Sequence, residues 1–262
     1  MDELALPDTF NVATAYVDAN VAAGRGATTA FYYGAQQITY QDILEHVNRT
    51  GNALQGLGVE REQRVALILL DCPEFVYSFF GAIKIGAVAV PMNTLLRPDE
   101  YRYLLNDSRA TVLIVSASLL PQIAPIRRDL RALRQIIVVG EPGAYLAYHT
   151  LLARASPELE AVPTSKDEMA FWLYSSGSTG FPKGVVHLHH DMLYVSDLVG
   201  REVLQMRPSD RVFSAAKLFF AYGLGNCLYI PMRFGASSIL LPERPSPAIV
   251  FETITRYAPT VF

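Results

Sequence analysis

The chain has 262 residues, 51% hydrophobic and only 18% charged, enough apolar material for one large domain or two small ones and not the composition of a disordered chain. A formal net charge of −3 gives no general basis for binding nucleic acid or an anionic membrane surface. The two cysteines, Cys72 and Cys227, stand far apart outside any CxxC pattern, which argues against a disulfide framework or structural zinc and makes a reducing cytoplasm the expected compartment.

The opening Met1-Asp2-Glu3-Leu4 is acidic and lacks the apolar run of a secretory signal. Residues 11–23 fit a helix, and Phe31-Tyr32-Tyr33, Gly34-Ala35 and Gln37-Ile38-Thr39-Tyr40 read as a hairpin. Thr39 is placed to cap the next helix with Asp42 as a capping-box partner; Ile43, Val47, Leu54 and Leu57 then recur at helical spacing until Gly58. From Arg64 onward apolar strands (65–70, 87–91, 111–115, 136–139) alternate with helices (73–85, 98–106, 121–132). The most membrane-like run, Val76 to Met92, carries Lys84 in its middle, ends in Pro91-Met92 and falls short of the roughly 20 residues a span needs. It reads as a buried helix followed by a buried strand, so no membrane partner is expected and the protein should be soluble.

Residues 140–167 read as a surface connection with one short helix. Strands at 170–174, 184–188, 211–214 and 237–241 follow, with helices at 190–205, 223–234 and 247–257. Continuous Val/Ile/Leu strands separated by helices are what a parallel sheet covered on both faces requires, so the fold class is α/β. The last residues, Ala258-Pro259-Thr260-Val261-Phe262, have the composition of a strand just beginning, which leads us to expect the N-terminal part of a longer protein.

Between two apolar segments that both read as buried strands lies Tyr174-Ser175-Ser176-Gly177-Ser178-Thr179-Gly180-Phe181-Pro182-Lys183-Gly184. Glycines that let the backbone approach a ligand, hydroxyls that donate hydrogen bonds and one lysine are equipment for holding polyphosphate oxygens. The spacing is not that of a Walker A loop, since Lys183 follows Pro182 and precedes Gly184, and no G-x-G-x-x-G lies between a strand and a helix. The Gly-x-Ser-x-Gly elbow of the hydrolases is missing too, because Gly177-Ser178-Thr179-Gly180 is one residue short. The competing reading is a plain solvent loop, for which Ser, Gly and Thr are ordinary residues.

The string Ser175 to Gly184 resembles the phosphate loop of the acyl-adenylate-forming (AMP-binding) superfamily, which includes acyl-CoA synthetases, peptide-synthetase adenylation domains and luciferases. The likeness runs through almost the whole chain, including Gly86-Ala87-Val88-Ala89-Val90-Pro91-Met92-Asn93. Ala216-Lys217-Leu218-Phe219-Phe220-Ala221-Tyr222-Gly223-Leu224-Gly225-Asn226 is most similar to the benzoate-CoA ligases within it. The resemblance implies two stacked parallel-rich sheets with flanking helices, an N-terminal α/β subdomain over 1–165 and the beginning of a second over 166–262. It implies activation of an aromatic carboxylic acid by ATP, with Mg²⁺, through an acyl-AMP to its coenzyme A thioester. Ser175, Ser176, Gly177, Ser178, Thr179, Gly180 and Lys183 would then hold the phosphates, Lys183 and Thr179 acting in catalysis by charge stabilisation and none as a nucleophile. Phe220, Ala221, Tyr222 and Gly223 would face the aromatic acid; many relatives have a histidine where Phe220 stands, so that histidine's role is absent. The family's magnesium-binding glutamate, ribose-binding aspartate and terminal catalytic lysine would lie beyond Phe262, so this chain alone is expected to be inactive. Loading of a carrier protein and a non-catalytic nucleotide-binding module are the rival readings.

His187-Leu188-His189-His190 invites a metal reading, but no carboxylate or cysteine is spaced to complete a site and the H-x-x-x-H pattern is missing, so packing and capping are the expected roles. Arg127, Arg128, Arg131 and Arg134 read as a solvated basic face.

Overall fold

A computed structural model describes residues 6–175 and 180–262. After helical turns over residues 12–25, the chain forms a hairpin of β1 (Thr29–Tyr33) and β2 (Gln36–Thr39) that turns through Gly34 at a φ of 59°. Helix α1 (Tyr40–Gly56) starts on the capping box: Asp42 N–H donates to Thr39 Oγ1 at 3.1 Å and Thr39 N–H donates to Asp42 Oδ2 at 2.8 Å. Then follow β3 (Arg64–Ile68), α2 (Pro73–Lys84), β4 (Val88–Pro91), α3 (Pro98–Asp107), β5 (Val112–Ser116), β6 (Gln135–Val139) and the short β7 (Leu146–Ala147). The later strands are β8 (Met169–Ser175), β9 (Lys183–Leu188), β10 (Arg211–Val212) and β11 (Ser237–Leu240), with helical turns over 191–203 and 221–234 and a helix at Pro247–Tyr257.

Two mixed, mainly parallel sheets result. The larger runs β7-β6-β5-β3-β4-β8-β9, in which only β8 and β9 pair antiparallel; the smaller runs β10-β11-β1-β2, in which only β1 and β2 do. Alternation along β3 shows the layering: Val65 and Leu67 face a core shared with α1, α2 and Phe31 of the small sheet, whereas Ala66 and Ile68 face α3 residues Tyr101, Leu104 and Leu105. On its outer face the small sheet is covered by Ile249, Val250 and Ile254 of the helix Pro247–Tyr257. The α1–α2 layer thus lies between the sheets. Lys84, fully buried on α2, donates to Asp18 Oδ1 at 2.6 Å and Asn48 Oδ1 at 2.7 Å, which lets a charged residue sit in that apolar run. Among the described residues no helix is long and apolar enough to cross a membrane.

The structure departs from sequence expectation in three places. A division at residue 165 does not follow sheet membership, because β1 and β2 pair into the sheet of β10 and β11 while β8 and β9 extend the sheet of β3 to β7. The helix expected over 121–132 is instead a series of short turns, Ala117–Leu119, Leu120–Ile123 and Ala124–Asp129; Pro125 supplies no N–H to the preceding turn. And β9 is not a buried strand: it pairs only with β8, at the edge of its sheet among the described residues, leaving Val185 and Val186 44% and 43% exposed. Val261 forms a parallel bridge with Val212, its carbonyl accepting from Phe213 N–H at 3.0 Å.

Candidate active site

The strands on either side of the serine- and glycine-rich segment, β8 and β9, pair with each other in antiparallel fashion. Ser175 lies opposite Lys183, and Tyr174 opposite Gly184. Both Ser175 and Lys183 are exposed. Gly180 has a φ of 132°, a conformation open to glycine and strained for residues with a Cβ. Ser176, Gly177, Ser178 and Thr179 lie outside the described residues.

Helix α3 holds the chain on both sides of that segment. The Phe181 ring stacks on Tyr103 with centroids 4.9 Å apart, and Tyr103 O–H donates to the Pro182 carbonyl at 3.1 Å. On the other side Tyr174 O–H donates to Asp107 Oδ2 at 2.7 Å. Burial, and then the hydrogen bond to that carboxylate, push the Tyr174 phenol above its ordinary value, so it stays a donor. Tyr103 and Asp107 of α3 therefore hold Phe181, Pro182 and Tyr174, the described residues on either side of the serine- and glycine-rich segment.

The second group expected from sequence lies where the chain leaves β10. Residues 213–220 turn back with Ala216 N–H donating to Ser214 Oγ at 3.0 Å and Phe220 N–H to the Lys217 carbonyl at 3.0 Å. Phe219 is buried, but Phe220 and Tyr222 are 48% and 64% exposed, with Ala221 exposed between them. Gly223 is buried, and a Cβ there would fall 2.1 Å from the Lys217 carbonyl oxygen. It contributes close backbone approach and not a lining side chain.

Parallel pairing places both groups at one end of the molecule. Strands β3, β4 and β8 run parallel, so the residues following β3 and the Ser175 end of β8 share the carboxyl edge of the large sheet. Asp71, just beyond β3, accepts from Leu218 N–H at 3.1 Å, tying the 213–220 turn to that edge. The carboxyl edge is where open α/β sheets bind ligands. Sequence reasoning missed Asp71 and gave Lys217 no role. The two form an ion pair at 3.7 Å, both largely out of solvent. Burial raises the Asp71 carboxyl to about 6, with Lys217 and the Leu218 N–H opposing; burial likewise lowers the Lys217 amine, opposed by Asp71. The available signal was one charge inside each of two apolar runs, Leu69-Leu70-Asp71-Cys72 and Ala215-Ala216-Lys217-Leu218.

The histidines diverge. The His187 ring stacks on Phe171 at 4.4 Å, His189 is buried with Nδ1 accepting from Val12 N–H at 3.0 Å, and His190 lies 3.1 Å from Asp167 and 3.0 Å from Asp191. Among the described residues no group of three or more His, Cys, Asp or Glu side chains could hold a metal ion.

Residues 18–262 match the AMP-binding enzyme family. The chain belongs to that family. Among AMP-binding relatives, it is 45% identical over 258 residues to the benzoate–CoA ligase of Thauera aromatica, covering 98% of this chain and 49% of the relative. It is 46% identical over 253 residues to the 4-hydroxybenzoate–CoA/benzoate–CoA ligase of Rhodopseudomonas palustris, covering 96% and 47%. The chain thus spans about half the length of these curated relatives. Among solved structures it resembles the anthranilate CoA ligase AuaEII in complex with anthranoyl-AMP, with a TM-score of 0.95 and 41% identity over 98% of this chain and 50% of that one. A benzoate CoA ligase from Burkholderia xenovorans LB400 aligns with a TM-score of 0.89 and 38% identity over 97% and 50%.

Proposed function

We propose that this AMP-binding chain is part of an ATP-dependent ligase that converts an aromatic carboxylic acid, benzoate or a close analogue, through its acyl-AMP into the coenzyme A thioester. The likeness to AuaEII in complex with anthranoyl-AMP, over 98% of this chain, carries the reading. The benzoate and hydroxybenzoate ligases among the relatives support the same substrate class.

In the first step a carboxylate oxygen attacks the α-phosphorus of ATP, the bond to the bridging oxygen breaks, and pyrophosphate leaves. In the second the coenzyme A thiolate attacks the acyl carbon and AMP leaves. Two anions meet in the first step, so the protein must screen phosphate charge where it develops. On this reading the Lys183 ammonium, the hydroxyls of Ser175, Ser176, Ser178 and Thr179, and the amides around Gly177 and Gly180 hold the β- and γ-phosphates. Mg²⁺ arrives with ATP as part of the substrate, and no described cluster is assigned to it. Exposed Tyr222 and Phe220, with the small Ala221 between them, offer flat apolar surface to an aromatic ring; Gly223 lets the backbone of this helix start lie close against Lys217.

The test is pyrophosphate release by the full-length polypeptide that carries this chain, with ATP and either benzoate, 4-hydroxybenzoate or anthranilate, and with or without coenzyme A. Aryl-dependent pyrophosphate release, followed by aryl-CoA formation, is the expected result. Turnover to aryl-AMP that ignores coenzyme A would favour transfer to a carrier protein, and no aryl-dependent release would reject the reading. The 262-residue chain by itself is expected to release none.

A further inference from the structure

We infer that the buried Asp71–Lys217 pair is a positioning device: it fixes the segment that presents Phe220 and Tyr222, and so sets how tightly the aromatic acid is held without governing ATP. This rests on the ligase reading above.

The pair joins three parts of the fold that are remote in sequence. Asp71 follows central strand β3 of the large sheet and is buried, one residue before Cys72, from which Pro73 opens α2. Its Oδ1 accepts from Leu218 N–H at 3.1 Å, and its Oδ2 lies 3.7 Å from Lys217 Nζ. Lys217 Nζ in turn donates to the Leu241 carbonyl, just past β11 of the small sheet. One carboxylate and one ammonium therefore connect the carboxyl edges of both sheets to the 213–220 turn. Leu70, Thr94, Phe219 and Pro242 help enclose a cavity of about 80 Å³ beside the pair.

Displacement here is transmitted over a short distance. The helix that begins at Ala221 has no side-chain cap, so its start is held by what lies beneath it. Beneath it are the Lys217 and Ala216 carbonyls, 2.1 Å and 2.5 Å from the position a Gly223 Cβ would take. A backbone that close cannot shift at Lys217 without moving Gly223 and its neighbour Tyr222. Buried ion pairs add little net stability, because desolvation offsets their attraction. One hydrogen bond and one ion pair from Asp71 to successive residues of one turn are better accounted for by orientation than by stability.

Asp71→Asn, Lys217→Met and the double variant of the full-length polypeptide test this. Each single change is expected to raise the KM for the aromatic acid about tenfold, the loss of one charge-assisted contact, while the KM for ATP stays within about twofold. The double variant should be no worse than either single one, since all three break the same link. Equal rises in both KM values, additive effects, or an unchanged acid KM in an active enzyme would overturn the inference. If the wild type shows no aryl-dependent turnover, the ligase reading fails instead. Positioning is then still decided by amide hydrogen exchange in the 262-residue chain: Asp71→Asn should speed exchange at 218–224 and leave β3 and β4 unchanged, and uniform or no acceleration would reject it.

Discussion

At Gly223 a methyl group would come within 2.1 Å of the Lys217 carbonyl oxygen, far inside any contact a real Cβ makes. Gly223→Ala must therefore move either the helix start or the turn, and a loss of about 1–3 kcal/mol is expected, as for other overpacked sites. A urea titration of the 262-residue chain reads it as a lower midpoint at constant slope. Lys183 poses the opposite case, since it is exposed and its removal leaves no hole. In the full-length polypeptide, Lys183→Met should lower pyrophosphate release about 100-fold or more, the scale on which one charge-stabilising donor acts, with little change in melting temperature. An undiminished rate would remove the loop from the chemistry. Lys183 is proposed from sequence because Pro182 and Gly184 frame it in a continuous string. Asp71 was not legible there, because its partner Leu218 lies 147 residues away and a lone aspartate two residues ahead of a proline reads first as a helix start.

The same contrast between local and distant information runs through the elements. Helix α1 was readable from Thr39 onward because its capping box is contained within four residues. Thr39→Ala leaves a helix N-terminus that borders the buried Tyr40, so a cost of about 1 kcal/mol is expected. Thr39→Ser should recover most of it, and equal loss in both variants would show that the methyl group and not the hydroxyl matters there. Strands β3 to β6 were equally legible as continuous apolar runs between helices, since each is buried on both faces. Sheet membership was not. Phe31 pairs in register with Ser238, and no local pattern in β1 names a partner so distant. Edge position was hidden as well: Val185-Val186-His187-Leu188 has the composition of an inner strand, yet among the described residues only β8 flanks it. At residues 121–132 the two prolines decided against an apolar rhythm that favours a helix.

At the scale of the whole molecule, two buried titratable groups tie early chain to late chain and oppose one another. Asp71 joins the end of β3 to the 217–218 turn, and His189 accepts from Val12 N–H, joining the first helical turns to the residues after β9. Burial raises the Asp71 carboxyl from 3.8 to about 6, so between those values the folded chain binds more protons than the unfolded one and stability falls as pH rises. Burial lowers the His189 imidazole from 6.5 to about 4, so there the unfolded chain binds more protons and stability rises with pH, being lost below. The windows overlap between about pH 4 and 6, where the slopes offset. Glu168, held below its ordinary value first by its hydrogen bond to Arg61, adds to the rising side only toward the acid end. The half-buried His187, also lowered by burial, adds to the rising side, so denaturant midpoints of the 262-residue chain, taken from pH 4 to 6.5, should climb more gently than the two histidines alone would make them. Asp71→Asn should steepen that climb by removing the opposing carboxyl, and His189→Gln, whose amide oxygen can still accept from Val12, should flatten or invert it. Parallel profiles for wild type and both variants would mean that neither group titrates differently in the folded and unfolded chain.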